Sequence, residues 1–254
     1  MRLGASHASS RTIQDLQTSV ALWQVKCEVV PIQLFQSKVS HTCLQSRIRK
    51  KVIEWVFDRC GELETSARTP QFAANLVDLF HAKEPDIDQA NLHAVAAAAL
   101  MITMKIVESI EFSPAYISQL PGVRVSPRTL VELESGLLAM IDWAIDMPTA
   151  ADIVDILDQP WLGAQFPPRA QWDEFLGSAY RCAAVRAGPL ALALTGLWKL
   201  AGTRDTGVKL CFELAGMAES EAEALSAEVR LAGNCMETTS DSDSTFSSSP
   251  DIRR

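Results

Sequence analysis

Arg49, Asp78, Lys105 and Glu134 are charged residues set in otherwise apolar stretches with helical spacing, and charge placed there has to be matched. An arginine and an aspartate on buried helix faces must pair, because either alone would carry a large desolvation penalty. Arg49 and Asp78 are therefore expected to lock two helices together. Lys105 falls at the end of a helix, where the macrodipole favours a cation. Glu134 heads a stripe of Leu138, Ile141 and Ile145, distinct from the stripe of Leu130, Leu133 and Leu137 that should face a core. An apolar stripe headed by a carboxylate, beside a lysine from a neighbouring helix, suits the docking of a partner helix.

Residues that could do bond-making chemistry do not assemble. The four histidines (His7, His41, His81, His93) are scattered, and none sits in HExxH or beside a ligand pair. Neither GxSxG nor a GxGxxG following a strand occurs. Gly202 to Gly207, followed by Val208-Lys209, resembles a phosphate loop. In such a loop, however, the lysine follows the second glycine directly and a strand precedes it. Glu132 and Glu134 are two apart, so they point to different faces of a helix. The chain is expected to be no enzyme and to carry no metal or cofactor.

The 254 residues suffice for one large domain or two small ones. An apolar fraction of 48% and a charged fraction of 21% are ordinary for a soluble globular protein. The formal charge of −8 argues against nucleic acid as a partner, which would call for a basic face. The six cysteines (Cys27, Cys43, Cys60, Cys182, Cys211, Cys235) form no CxxC pair and read as free thiols of a reducing compartment. No signal peptide is expected. Ala90 to Val107 is interrupted by Asn91, His93 and Lys105, and Ala183 to Gly202 by Arg186, Pro189 and Lys199. Neither is the unbroken apolar span a bilayer needs, so no membrane partner is expected. The expected location is intracellular, in the nucleus and/or the cytoplasm.

The elements that must hold the four charges are all helical. After a frayed start, Ile13, Leu16, Val20, Leu22 and Trp23 predict a helix over Thr12 to Val30, ending before Pro31. From Arg47 to Cys60, Ile48, Val52, Trp55 and Val56 fall on one helix face. Thr69-Pro70, Ser113-Pro114 and Ser126-Pro127 each read as an N-cap followed by a first-turn proline. Asp88 caps a helix from Gln89 to about Val107 that is apolar all round, the mark of a bundle's hub. Five helices are thus expected between Arg47 and Ala144. The pattern then recurs loosely: Thr149 capping a helix to Asp158, then about 170–187, 189–201, 207–215 and 219–232. The expected class is all-α, two tandem five-helix repeats with an N-terminal helix and a disordered tail. The expected units are an extension over 1–46, repeats over 47–146 and 147–233, and a Ser/Asp-rich tail over 234–254.

The four charged positions also carry a resemblance. Arg49 in Arg49-Lys50-Lys51-Val52-Ile53-Glu54-Trp55, Asp78 in Asn75-Leu76-Val77-Asp78-Leu79-Phe80, Lys105 and Glu134 resemble the pattern of the cyclin box. That pattern has an Arg before a helix-one Trp, an Asp in helix two, a Lys ending helix three and a Glu in helix five. Trp143 to Thr149 is similar to the family's exit from its first box. The likeness covers about Arg47 to Ile156 well and the second repeat in outline. It implies a regulatory subunit that forms a heterodimer with a cyclin-dependent protein kinase and activates it, in cell-cycle control. By resemblance, Lys105 and Glu134 would grip the kinase's regulatory helix, with Ile106, Leu138, Trp143 and Ile145 supplying apolar contact.

A second surface that the resemblance implies is a groove for docking motifs of substrates or inhibitors. Its candidates are Ile48, Val52, Trp55, Asp58, Leu92 and His93, with Lys51 standing where the family has an apolar residue. Arg49-Lys50-Lys51-Val52 and Cys60 most resemble D-type cyclins, although Val25-Lys26-Cys27-Glu28 does not supply their LxCxE motif. In the tail, Ser249 precedes a proline, while Ser240 and Ser248 each have Asp three residues on, so all three are candidate phosphorylation sites. The basic run from Arg47 to Lys51 reads as helix surface. Rival readings are an all-α adaptor without a kinase, which leaves the four charges unexplained, and a cyclin-fold transcription regulator, which would bring a zinc ribbon and a basic face.

Overall fold

The computed structural model describes residues 43–143, 145, 147–157, 167–182, 189–201, 212–213 and 217–237. The expected helix over Thr12 to Val30, the Gly202 to Lys209 segment, most of the expected 207–215 helix, and Ser240, Ser248 and Ser249 lie outside the described residues.

The chain is all-α, with no strand among the described residues. The helices are α1 Cys43–Glu62, α2 Arg68–Lys83, α3 Gln89–Thr103, α4 Pro114–Ile117, α5 Pro127–Met140, α6 Ala150–Leu157, α7 Arg169–Arg181, α8 Pro189–Ala201 and α9 Glu219–Glu237. The last runs past its expected end at Ala232.

Four of the nine helix starts among the described residues carry the expected side-chain caps. Asp88, Ser113 and Ser126 each accept a hydrogen bond from the backbone N–H three residues on, with Pro114 and Pro127 in the first turn behind the two serines. Thr149 and Asp152 cap α6 reciprocally: Thr149 N donates to Asp152 Oδ2 at 2.7 Å, and Asp152 N donates to Thr149 Oγ1 at 3.3 Å. Thr69 departs from its expected role. α2 begins one residue before it, the cap position is Ala67, and the buried Thr69 hydroxyl is used elsewhere. The partner that drew it away comes from another helix, which a local motif does not report.

α3 is the hub. Leu92 to Thr103 is buried throughout, and Ala94 and Ala96 to Ala99 let α1, α2, α4 and α5 pack against it. By length and composition Gln89–Glu108 could cross a membrane, but it is mostly buried by protein, as a core helix is. Full burial of side chains such as Phe72 and Leu100 contributes roughly 1.5–3 kcal/mol each. α8 is a second hub, packed on α6, α7 and α9. Gly196 permits its close approach to α7, since a Cβ there would lie 2.4 Å from Trp172 Cζ3.

The main core is continuous along the chain, joining Val52, Phe72 and Leu100 to Met147, Val154, Trp172, Leu194 and Val229. Polar contacts reinforce the junction. Gln71 Oε1 accepts from Ala151 N at 2.9 Å in the buried start of α6, and Arg68 pairs with Asp152 at 3.1 Å. A smaller cluster of Ala97, Met101, Ile117, Val123 and Leu130 sits on the other side of α3.

Candidate functional site

α3 and α5 pack side by side, and this sets the first pair of charges. Lys105 Nζ donates to Glu134 Oε1 at 2.7 Å, with the lysine one-third exposed and the glutamate side chain mostly buried. Lys105 is not on a plain α-helical turn. The last turn of α3 opens into a single π turn, Met104–Glu108, a form often found at functional sites. Ser109, with φ of 55°, then reverses the chain, and the N–H groups of Ser109 and Ile110 both reach Met104 O.

Beyond Glu134, the stripe expected on α5 divides. Leu138 and Ile141 are half-buried against the core. Ile145 does not extend the stripe, because α5 ends at Met140 and Asp142 and Trp143 turn with φ of 50° and 59°. Trp143 N donates to Leu138 O at 2.9 Å, and Ile145 N donates to Trp143 O at 2.9 Å. Trp143 is 65% exposed and Ile145 41%. Ile106, in the π turn, is half-buried. Lys105 and Glu134 thus form one pair of charges, and the turn that closes α5 leaves two apolar side chains, Trp143 and Ile145, in solvent.

Arg49 and Asp78 form the other expected pair, with Nε on Oδ1 at 2.7 Å and Nη2 on Oδ2 at 2.8 Å. The fork binds both carboxylate oxygens, a strong arrangement for a buried pair. Arg49 also donates from Nη1 to the carbonyls of Tyr180 (3.3 Å) and Cys182 (3.2 Å), which end α7. No sequence signal announces these last two partners, because a carbonyl acceptor is present at every residue.

The groove candidates separate by burial. Val52 and Leu92 are fully buried core residues, so they lie beneath any surface and cannot form it. Ile48 is half-buried and Asp58 exposed. Trp55 Nε1 donates to Pro121 O at 2.6 Å, and the Trp55 ring meets His93 edge-on at 5.9 Å. His93 is almost wholly buried, its Nδ1 lying 2.9 Å from Gln89 O. Gly122, with φ of 91°, brings the loop close over both rings, and only a residue without Cβ fits there comfortably. The open part of the groove reduces to Ile48, Lys51, Trp55 and Asp58.

Sequence reasoning passed over Glu108. Its Oε1 accepts from Ser66 N and Ser66 Oγ, both at 2.8 Å, and from Thr69 Oγ1 at 2.5 Å. Partial burial pushes its pKa up, but the hydrogen bonds from Thr69 and Ser66 outweigh that and hold the carboxyl below its ordinary value. Nearby, burial pushes the Cys60 thiol up to about 12, so it stays protonated. Among the described residues, no cluster of His, Cys, Asp or Glu could hold a metal ion.

With this geometry in place, comparison with known proteins adds one finding. The model of the family described as "Cyclin, N-terminal domain" matches residues 21–146, a span that starts ahead of α1 and closes just after Ile145. No curated protein matches the chain. Domains of the matched family regulate rather than catalyse, and they work on a protein partner. The matched span holds both ion pairs, the α3 hub and the exposed strip after α5: the chain belongs to the cyclin family.

Proposed function

We propose that the chain is the regulatory subunit of a cyclin-dependent protein kinase, which it activates by docking the kinase's regulatory helix during cell-cycle control. The observation that carries this reading is the Lys105–Glu134 pair at 2.7 Å, continued by exposed Trp143 and Ile145. In the unpartnered chain the two charges satisfy each other. A docked helix offers backbone groups that each can bond in turn, the ammonium donating and the carboxylate accepting, while the apolar strip supplies contact area.

The chain adds no reacting group of its own. Held inward, the kinase helix keeps its glutamate paired with the lysine that aligns the ATP phosphates. Binding therefore acts by favouring one conformation of the kinase over another. Ile48, Lys51, Trp55 and Asp58 remain the accessible part of a second proposed surface, for docking motifs of substrates or inhibitors.

The test is capture of a kinase from the protein's own cell extract, assayed for phosphorylation of a histone substrate, with Lys105→Glu in parallel. Activity with the unmodified chain and none with the variant supports the reading. No kinase with either protein overturns it, and equal activity with both moves the docking site elsewhere.

A further inference from the structure

The π turn carrying Lys105 and Ile106 ends at Glu108, whose carboxylate bonds to the start of α2. A negative charge at the C-terminal end of a helix is opposed by the helix dipole. Here it is answered from across the fold: a single oxygen takes the Ser66 amide, the Ser66 hydroxyl and the Thr69 hydroxyl. The start of α2 lacks a side-chain cap of its own, because Ala67 occupies that position. Glu108 thus supplies, from 39 residues along the chain, an acceptor that the local sequence does not.

The anchor at the far end is rigid. Thr69, Pro70, Gln71 and Phe72 are all buried. The near end is strained: Ser109 is left-handed without being glycine, a backbone state that persists only where its surroundings enforce it. The side chains within a π turn are rotated relative to an α-helical continuation, so whatever stabilises the turn sets where Lys105 and Ile106 aim.

We infer that Glu108 is a positioning residue of the docking surface: by tying the π turn to Ser66 and Thr69 it fixes the direction in which Lys105 and Ile106 meet a partner. This rests on the kinase reading above.

The experiment is a double-mutant cycle on the full chain, using as probe the kinase that the unmodified chain retains from its own cell extract, purified and immobilised. Glu108→Gln removes the charge and weakens affinity on the order of tenfold. In a background carrying both Lys105→Ala and Ile106→Ala the same change has less than about a twofold effect, because the residues it positions are gone. Ser66→Ala, which deletes one donor from the exposed loop, shows the same background dependence and takes the place of Glu108→Gln if that variant loses its cooperative thermal transition. Equal losses in both backgrounds assign Glu108 a general structural role and overturn the inference, as does unchanged affinity. Failure of the unmodified chain to retain any kinase overturns the kinase reading, and the positioning role falls with it.

Discussion

Arg49 binds Asp78 through two parallel hydrogen bonds at 2.7 and 2.8 Å, and with its remaining nitrogen it holds the carbonyls of Tyr180 and Cys182 at the end of α7. Three helices, two of them from the family-matched part of the chain, therefore meet on one guanidinium. Burial alone would lower its pKa. The charge and hydrogen bonds of Asp78 outweigh that, and the group is held above its ordinary value.

Breaking such a pair leaves a buried charge unanswered. Asp78→Asn is expected to destabilise the fold by about 3 kcal/mol, read from the midpoint of urea unfolding followed by circular dichroism. Arg49→Lys should cost a comparable amount, since an ammonium cannot span the carboxylate and both α7 carbonyls together. A midpoint unchanged in both variants would mean that the pair adds nothing to the junction.

Two glycines should respond to alanine with opposite signs. At Gly196 the new methyl would lie 2.4 Å from Trp172 Cζ3 and 3.0 Å from the Phe175 ring, so Gly196→Ala should destabilise by about 1–3 kcal/mol. At Gly136, exposed in α5, nothing lies within 4 Å, and the helix gains propensity. Gly136→Ala should stabilise by roughly 0.5–1 kcal/mol. Thermal melting of the two variants beside the parent decides both.

The acid limb of stability should carry the mark of Glu108. Its folded pKa lies below the ordinary 4.5, so its hydrogen bonds stabilise fully above that value and are lost as pH falls through the depressed one. The difference in melting temperature between the parent and Glu108→Gln should stay constant above pH 4.5 and shrink below it. His81 acts in the same direction from a higher pH. Burial, helped by Arg49, pulls its pKa below 6.5 against the pull of Asp78, so stability falls as pH drops beneath 6.5. A gap between the two melting curves that stays level into acid would contradict the Glu108 assignment.

Exchanging the charges of Lys105 and Glu134 separates pairing from docking. The pair is partly exposed and worth under about 1 kcal/mol, so Lys105→Glu combined with Glu134→Lys should melt close to the parent. Kinase capture should nevertheless be lost, because donor and acceptor now face the partner in reverse order. Trp143→Ala should likewise leave melting unchanged, the side chain being mostly in solvent, while weakening kinase affinity about tenfold or more. Retained capture by the exchanged variant would remove these two residues from the docking site.

Much of this protein is written locally. The caps at Asp88, Ser113 and Ser126 act over three residues, and the all-round apolar run from Leu92 to Ile102 could only be a hub. The Arg49–Asp78 pair was legible for a different reason: a charge on a buried helix face must find its opposite, whereas Lys105 and Glu134 read as a docking site and their bond to each other came from the structure. Helical period, by contrast, carried the α5 stripe too far, to Ile145. Left-handed turns at Asp142 and Trp143 ended the helix where no glycine or proline announced it.

The amino-acid sequence by itself determined the helical class, most helix starts, the hub and the pairing of Arg49 with Asp78, because each follows from periodicity, a cap or the cost of an unpaired charge. Only the tertiary structure decided which backbone groups those residues also reach. Arg49 on the α7 carbonyls, Gln71 on the Ala151 amide and Glu108 on the Ser66 amide depend on segments far apart in the chain coming together. Backbone donors and acceptors are the same at nearly every residue, so no side-chain pattern could have singled these out.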